Sequence, residues 1–182
     1  MEGLTLIKEL TAEEVFETWR KIEENLEHWK SFWKAKGFNS WEEWRRKTHA
    51  SVLDKKLSWN LYQVKEPIAI IPEWYGGMFH GWAKWFYPVL SEQPPKLKEL
   101  LTHPGVHNHW WIQKITDNFE SPTTISAVCM PSGDIIIVEG MHRACALALM
   151  AHEKRTTNIE LFVMLTDWPD NVPPKLGTGW DK

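Results

Sequence analysis

Cysteine is almost missing from this chain: Cys129 and Cys145 are its two cysteines in 182 residues, and they form no Cys-x-x-Cys pair. That excludes a disulfide framework or a cysteine-rich zinc site as the organising element and leaves both thiols as small apolar side chains for the interior. No apolar run approaches the ~18 residues that a membrane span requires. The opening residues MEGLTLIKELTAEE carry acids where a secretory signal would carry a basic and then an apolar stretch. A cytoplasmic protein with no membrane partner is therefore expected. Blocks of lysine and arginine are also absent and the formal net charge is -3, which argues against a broad phosphate-neutralising groove and against nucleic acid as a partner. Repeats and low-complexity segments do not occur.

What is present is an ordinary globular composition, 43% hydrophobic and 25% charged, enough to fill one core in a single domain of ~100–200 residues. The compositional oddity is 13 tryptophans, which serve either as stacking platforms or as bulky packing at helix contacts. Thr11 and Glu14 make a capping box, and Val15, Trp19, Ile22, Leu26, Trp29 and Trp33 follow at steps of four and three. The spacing predicts one long amphipathic helix ending near Gly37. Ser40 and Glu43 open a second helix running toward Leu57. Residues 1–58 are thus expected to be a helical, Trp-rich N-terminal part, 59–167 the core, and 168–182 a loosely structured Pro- and Gly-rich tail.

Within the core, residues 60–72 read as extended chain interrupted by Pro67. Trp74, Tyr75, His80 and Trp82 lie in a glycine-rich aromatic loop, suited either to a substrate pocket or to a hydrophobic plug over a sheet. Short helices are expected after Pro94-Pro95 and over residues 109–117. Residues 124–130 and 135–138 flank a Pro-Ser-Gly-Asp turn and predict a hairpin; a helix over 141–152 and a strand over 158–165 complete a strand, helix, strand unit. His103, His107 and His109 crowd one loop, but no cysteine or acid completes a ligand set with them, so no metal site is assigned.

The chemistry concentrates in Val138-Glu139-Gly140-Met141-His142-Arg143, between a buried strand and a helix of small residues. A helix start offers unpaired amides and a partial positive charge; Gly140 permits a tight bend, and Arg143 adds a planar, multi-donor cation. Phosphate fits all three. Glu139 and His142 are candidates for proton transfer, against ordinary roles as a strand-end acid and a packed helix-start histidine. A structural salt bridge is the rival role for Arg143.

Hydrophobic strand, acid, Gly140, Met141, His142, Arg143 and a following alanine resemble the signature of ParB/sulfiredoxin-like proteins, over residues 125–165. The resemblance implies an α+β fold with a small mixed sheet, a helix after the Gly-x-His-Arg turn, and phosphate or nucleotide bound by Gly140, Met141, His142 and Arg143. ParB partition proteins continue into a helix-turn-helix domain, for which little chain follows here. Sulfiredoxins carry a catalytic cysteine where Met141 stands, and a thioether is no such nucleophile. The free-serine kinases have Asp-Gly-His-His-Arg, to which Glu139–Arg143 is similar with two departures. The implied function is a phosphotransferase or phosphohydrolase using a nucleotide (ATP, ADP or CTP) with Mg, its ligand a small nucleotide or phosphorylated molecule. A non-catalytic nucleotide-sensing or protein-interaction module is the alternative, and a nuclease the weaker one.

Overall fold

The computed structural model describes residues 2–88 and 93–180. Strand β1 (Leu4–Leu10) comes first, followed by α1 (Ala12–Glu23), α2 (Glu27–Ala35) and α3 (Trp41–Thr48). Strand β2 (Trp59–Val64) leads through α4 (Pro67–Ile70) and a 3-10 turn (Ile71–Glu73) to α5 (His80–Phe86), α6 (Leu97–Leu100), α7 (Pro104–His107) and α8 (Trp110–Asp117). The hairpin β3 (Thr123–Cys129) and β4 (Ile135–Glu139), helix α9 (Met141–His152) and β5 (Leu161–Asp167) complete the order. The strands form one mixed sheet in the order β1-β2-β5-β3-β4. Strand β5 lies parallel to β3 and antiparallel to β2. The helical connection from β4 therefore carries the chain past β3 into an antiparallel position relative to β4.

Both faces of β3, β4 and β5 are largely buried, and their side chains alternate between two cores with period two. Ile125, Ala127, Ile137, Val163 and Leu165 belong to the core shared with α9, whereas Val128, Ile136, Val138 and Met164 belong to a second core with Val15, Phe16, Trp19, Trp41 and Trp44. Helix α9 is buried on both sides, from Ala144 through Met150, because α6 and α8 pack on it from outside. Its Ala and Cys side chains let it approach the strands closely. Cys145 is fully buried and its thiol is pushed well above the usual range by that burial, so it is chemically quiet.

The N-terminal third departs from expectation. Strand β1 supplies an edge of the sheet and is largely exposed, so its side chains show no buried alternation. The long helix is two helices: α1 ends at Glu23 and α2 begins at Glu27, with no fully buried residue in α2. Helix α3 stops at Thr48 well short of Leu57. Helices α1 and α3 share the second core with the sheet, so they form one of its layers, with β1 one of its strands. The tail is also pinned as far as Trp180. The Leu176 amide donates to the Met78 carbonyl (2.8 Å), its carbonyl accepts from the His80 amide (3.1 Å), and Leu176 is fully buried.

Candidate functional site: the turn between β4 and α9

Ser126 of β3 faces Glu139, while the next residue, Ala127, faces Ile137, so Val138 is an extra residue in β4. Such bulges twist a strand and re-aim its side chains. Here the bulge brings Glu139 into the field of both layers: Arg143 on α9, and Glu23 and Arg45 on the α1–α3 side. Gly140 then turns at φ +86 and opens α9 with no side-chain cap. A Cβ at this position would lie 2.6 Å from Ile125 Cγ2, so both the backbone angle and the space demand glycine.

Arg143 points back at the bend. Its Nη2 donates to both carboxylate oxygens of Glu139, at 2.6 and 2.8 Å, while its buried Nε has no partner. Glu139 is 3% exposed; burial pushes its carboxyl above the usual range, against the pull of the two arginines. The pair is thus the structural salt bridge considered above as the rival role for Arg143. Met141 is buried, and its Sδ accepts from the Gly77 amide at 3.5 Å.

His142 sits among rings: Trp82 at 5.3 Å and His109 at 5.3 Å between centroids. Burial, and then the neighbouring His109, His28 and Arg143, lower its pKa to about 3. It is a neutral imidazole at physiological pH. His49, fully buried, is lowered well below the usual value in the same sense. In the unfolded chain both would bind protons below ~6.5. The unfolded state then binds more protons than the folded one between that value and about 3, and stability is lost as pH falls through this window. We expect His142→Phe, which keeps a ring in the aromatic setting, to flatten this acid-side slope by up to about 1.4 kcal/mol per pH unit. Urea unfolding from pH 7 to 4 measures it; unchanged slopes would show that His142 titrates normally.

A second buried set was not anticipated. Glu23 accepts from Trp41 Nε1 (3.1 Å) and from Arg45 Nε (2.6 Å), and a further short contact joins it to Arg45 Nη2. Arg45 Nη1 donates to His49 Nε2 at 2.9 Å. Since a guanidinium can only donate, Nε2 is the acceptor, and Nδ1–H faces Thr48 Oγ1 at 2.9 Å. Trp19 Nε1 donates to Ser126 Oγ at 2.8 Å beside this set. The readable signal was a charged residue in an apolar register: Glu23 follows Trp19 by four, Arg45 follows Trp41 by four, and His49 follows Arg45 by four.

The aromatic loop meets the turn through the Gly77 amide at Met141 and through Trp82 at His142, while its other candidate rings lie elsewhere. Trp74 is in the core; Tyr75 exchanges backbone bonds with Ile135 and Ile137, continuing the sheet beyond β4. A Cβ on Gly77 would collide with the Ile137 carbonyl, so that glycine serves close backbone approach to the strand edge. His80 packs on Trp180 at 5.5 Å. Only Trp82 of the four reaches His142. In the histidine loop, His103 Nδ1 and His109 Nδ1 accept from the Gly105 and Trp111 amides, capping α7 and α8, while His107 packs on His152. Among the described residues, no three His, Cys, Asp or Glu side chains are arranged to hold a metal ion. A surface depression beside Trp168 and Asn171 and another beside Gln63 and Asn158 include no residue of the α9 turn. Compared with family models, curated proteins and solved structures, the chain matches none.

Proposed function

We propose that this chain is a ParB/sulfiredoxin-like module that binds a phosphate-bearing ligand, a nucleotide with Mg being the favoured form, at the start of α9. The observation that carries the reading is Gly140. At φ +86 it begins a helix of 12 residues with no capping side chain, which leaves the first amides in need of an acceptor. The neighbouring Arg143 guanidinium retains an unpartnered Nε while its Nη2 holds Glu139. An incoming phosphate oxygen would satisfy amides and guanidinium together, displacing or sharing the Glu139 carboxylate.

Within this reading the geometry favours holding a ligand over acting on it. A general base works best with a pKa near the operating pH, whereas His142 lies at about 3 and Glu139 is engaged by Arg143. Sensing therefore takes precedence over phosphotransfer or hydrolysis.

A thermal-shift screen with inorganic phosphate, pyrophosphate, ATP, ADP and CTP, each with and without Mg, tests the proposal. Binding to the folded state alone must raise the Tm, by the equivalent of about 2.7 kcal/mol at a hundredfold excess over Kd. Arg143→Ala strands the buried Glu139, so the cleaner variant is the double change Glu139→Gln with Arg143→Met, which removes both charges at once. A wild-type shift lost in the double variant supports the reading. No shift with any phosphate compound, or an equal shift in both proteins, removes it.

A further inference from the structure

Away from the α9 turn, five rings stand in single file across α2 and α8. Trp110 and Trp111 are 5.1 Å apart between centroids, Trp111 and His28 5.2 Å, His28 and Trp29 5.0 Å, and Trp29 and Phe32 5.8 Å. The ends of the row are open, with Trp110 68% and Phe32 45% exposed. Its Phe32 end is held from behind, where Trp29 and Phe32 both pack on the buried Trp44 at 5.3 and 5.7 Å. A buried row of this kind would be core packing; an exposed one, fixed in place, is a recognition surface.

Cations are interleaved with the rings. Lys114 lies over Trp111 at 5.0 Å, Lys36 over Phe32 at 5.6 Å, and Lys34 over the adjacent Trp33 at 5.5 Å. Among the described residues none of these three lysines forms a salt bridge, whereas Lys30 is held by Glu27 at 2.9 Å. The net charge of -3 is an average over the chain, and the acid beside the row, Glu27, is paired with Lys30 at 2.9 Å and also feels Lys34. Screening over ~8 Å at physiological salt leaves contact at this row to the local lysines.

We propose that this row binds single-stranded nucleic acid, with bases stacking on the exposed Trp110 and Phe32 and the backbone phosphates meeting Lys34, Lys36 and Lys114. Single strands expose base faces that rings can stack on regardless of sequence, while lysines follow the backbone. A duplex hides those faces. An anionic membrane suits the row less well, because it calls for a broad apolar helix face, whereas the exposed, polar His28 interrupts this row in its middle. The surface is separate from the phosphate site proposed at Gly140 and does not depend on it.

Fluorescence anisotropy of a labelled oligothymidylate, titrated with the full chain at low salt, tests the inference. We expect saturable binding whose log–log salt slope is roughly -2, as three phosphate contacts to a single strand would give. Trp110→Ala and Phe32→Ala alter exposed side chains, so their fold can be verified by circular dichroism. Each is expected to weaken binding about tenfold, and the change Lys34→Glu with Lys36→Glu to abolish it. Absence of wild-type binding overturns the proposal. So does equal affinity for a duplex of matched length, or loss in the lysine variant with none in the ring variants, since either reduces the effect to unspecific charge. Co-sedimentation with phosphatidylserine vesicles that depends on Trp110 and Phe32, without oligonucleotide binding, would reassign the row to membranes.

Discussion

Replacing Arg45 by methionine is expected to destabilise the fold by about 3–5 kcal/mol, the usual cost of removing one member of a buried ion pair. The side chains of Arg45 and Glu23 are 5% and 4% exposed, so the carboxylate left behind has no water to compensate it. It would keep only the Trp41 indole, at 3.1 Å, and His49 Nε2 would lose its donor. In a chain of this size the Tm should fall by roughly 10 °C or more. The double change Glu23→Leu with Arg45→Met should be far milder, because an apolar pair of similar volume avoids the unpaired charge. Chemical denaturation of the three proteins measures both effects. A cost near zero for Arg45→Met alone would mean that water reaches Glu23. Since Arg45 and Glu23 also act on Glu139, the single variant should further disturb any ligand response at α9.

Gly140→Ala is the second large expected effect, at about 2–4 kcal/mol. Part of that is backbone strain: an L-residue held at positive φ costs roughly 1–2 kcal/mol. The remainder is collision of the new Cβ with Ile125 Cγ2 at 2.6 Å and Cβ at 3.0 Å. Both belong to a stiff β-branched side chain in the fully buried core. Gly133 supplies the control, since it adopts a similar φ of +88 and a Cβ added there would meet nothing within 4 Å. Gly133→Ala should show the strain alone, and the difference between the two variants isolates the collision. Equal costs in urea unfolding would show that Ile125 moves aside freely.

Much of the C-terminal half was legible before folding. The hairpin, the helix over 141–152 and the glycine at its start fall where periodicity and turn chemistry put them, because each signal lies within a few residues of chain. The capping box at Thr11 and Glu14 is realised in both directions, at 2.8 and 3.2 Å. Strand β1 was missed because it is a half-solvated edge with Leu6 and Ile7 both exposed, so no alternation marks it. The helix break between Glu23 and Glu27 was missed because the apolar spacing continues through Ile22 and Leu26. Only packing reveals that Leu26 stays outside, at 39% exposure.

At the site, the chain alone determined the bend: a glycine after a buried strand, a small-residue helix behind it and an arginine on the first turn are all local choices. Tertiary structure decided what that bend faces. The burial of the local Glu139–Arg143 pair, the bulge opposite Ser126, the Glu23–Arg45–His49 set and the rings around His142 depend on residues from separate stretches or on how a strand is paired. Local sequence specifies dihedral angles and burial period, whereas charge pairing and desolvation belong to juxtapositions that exist only once both layers close on the sheet.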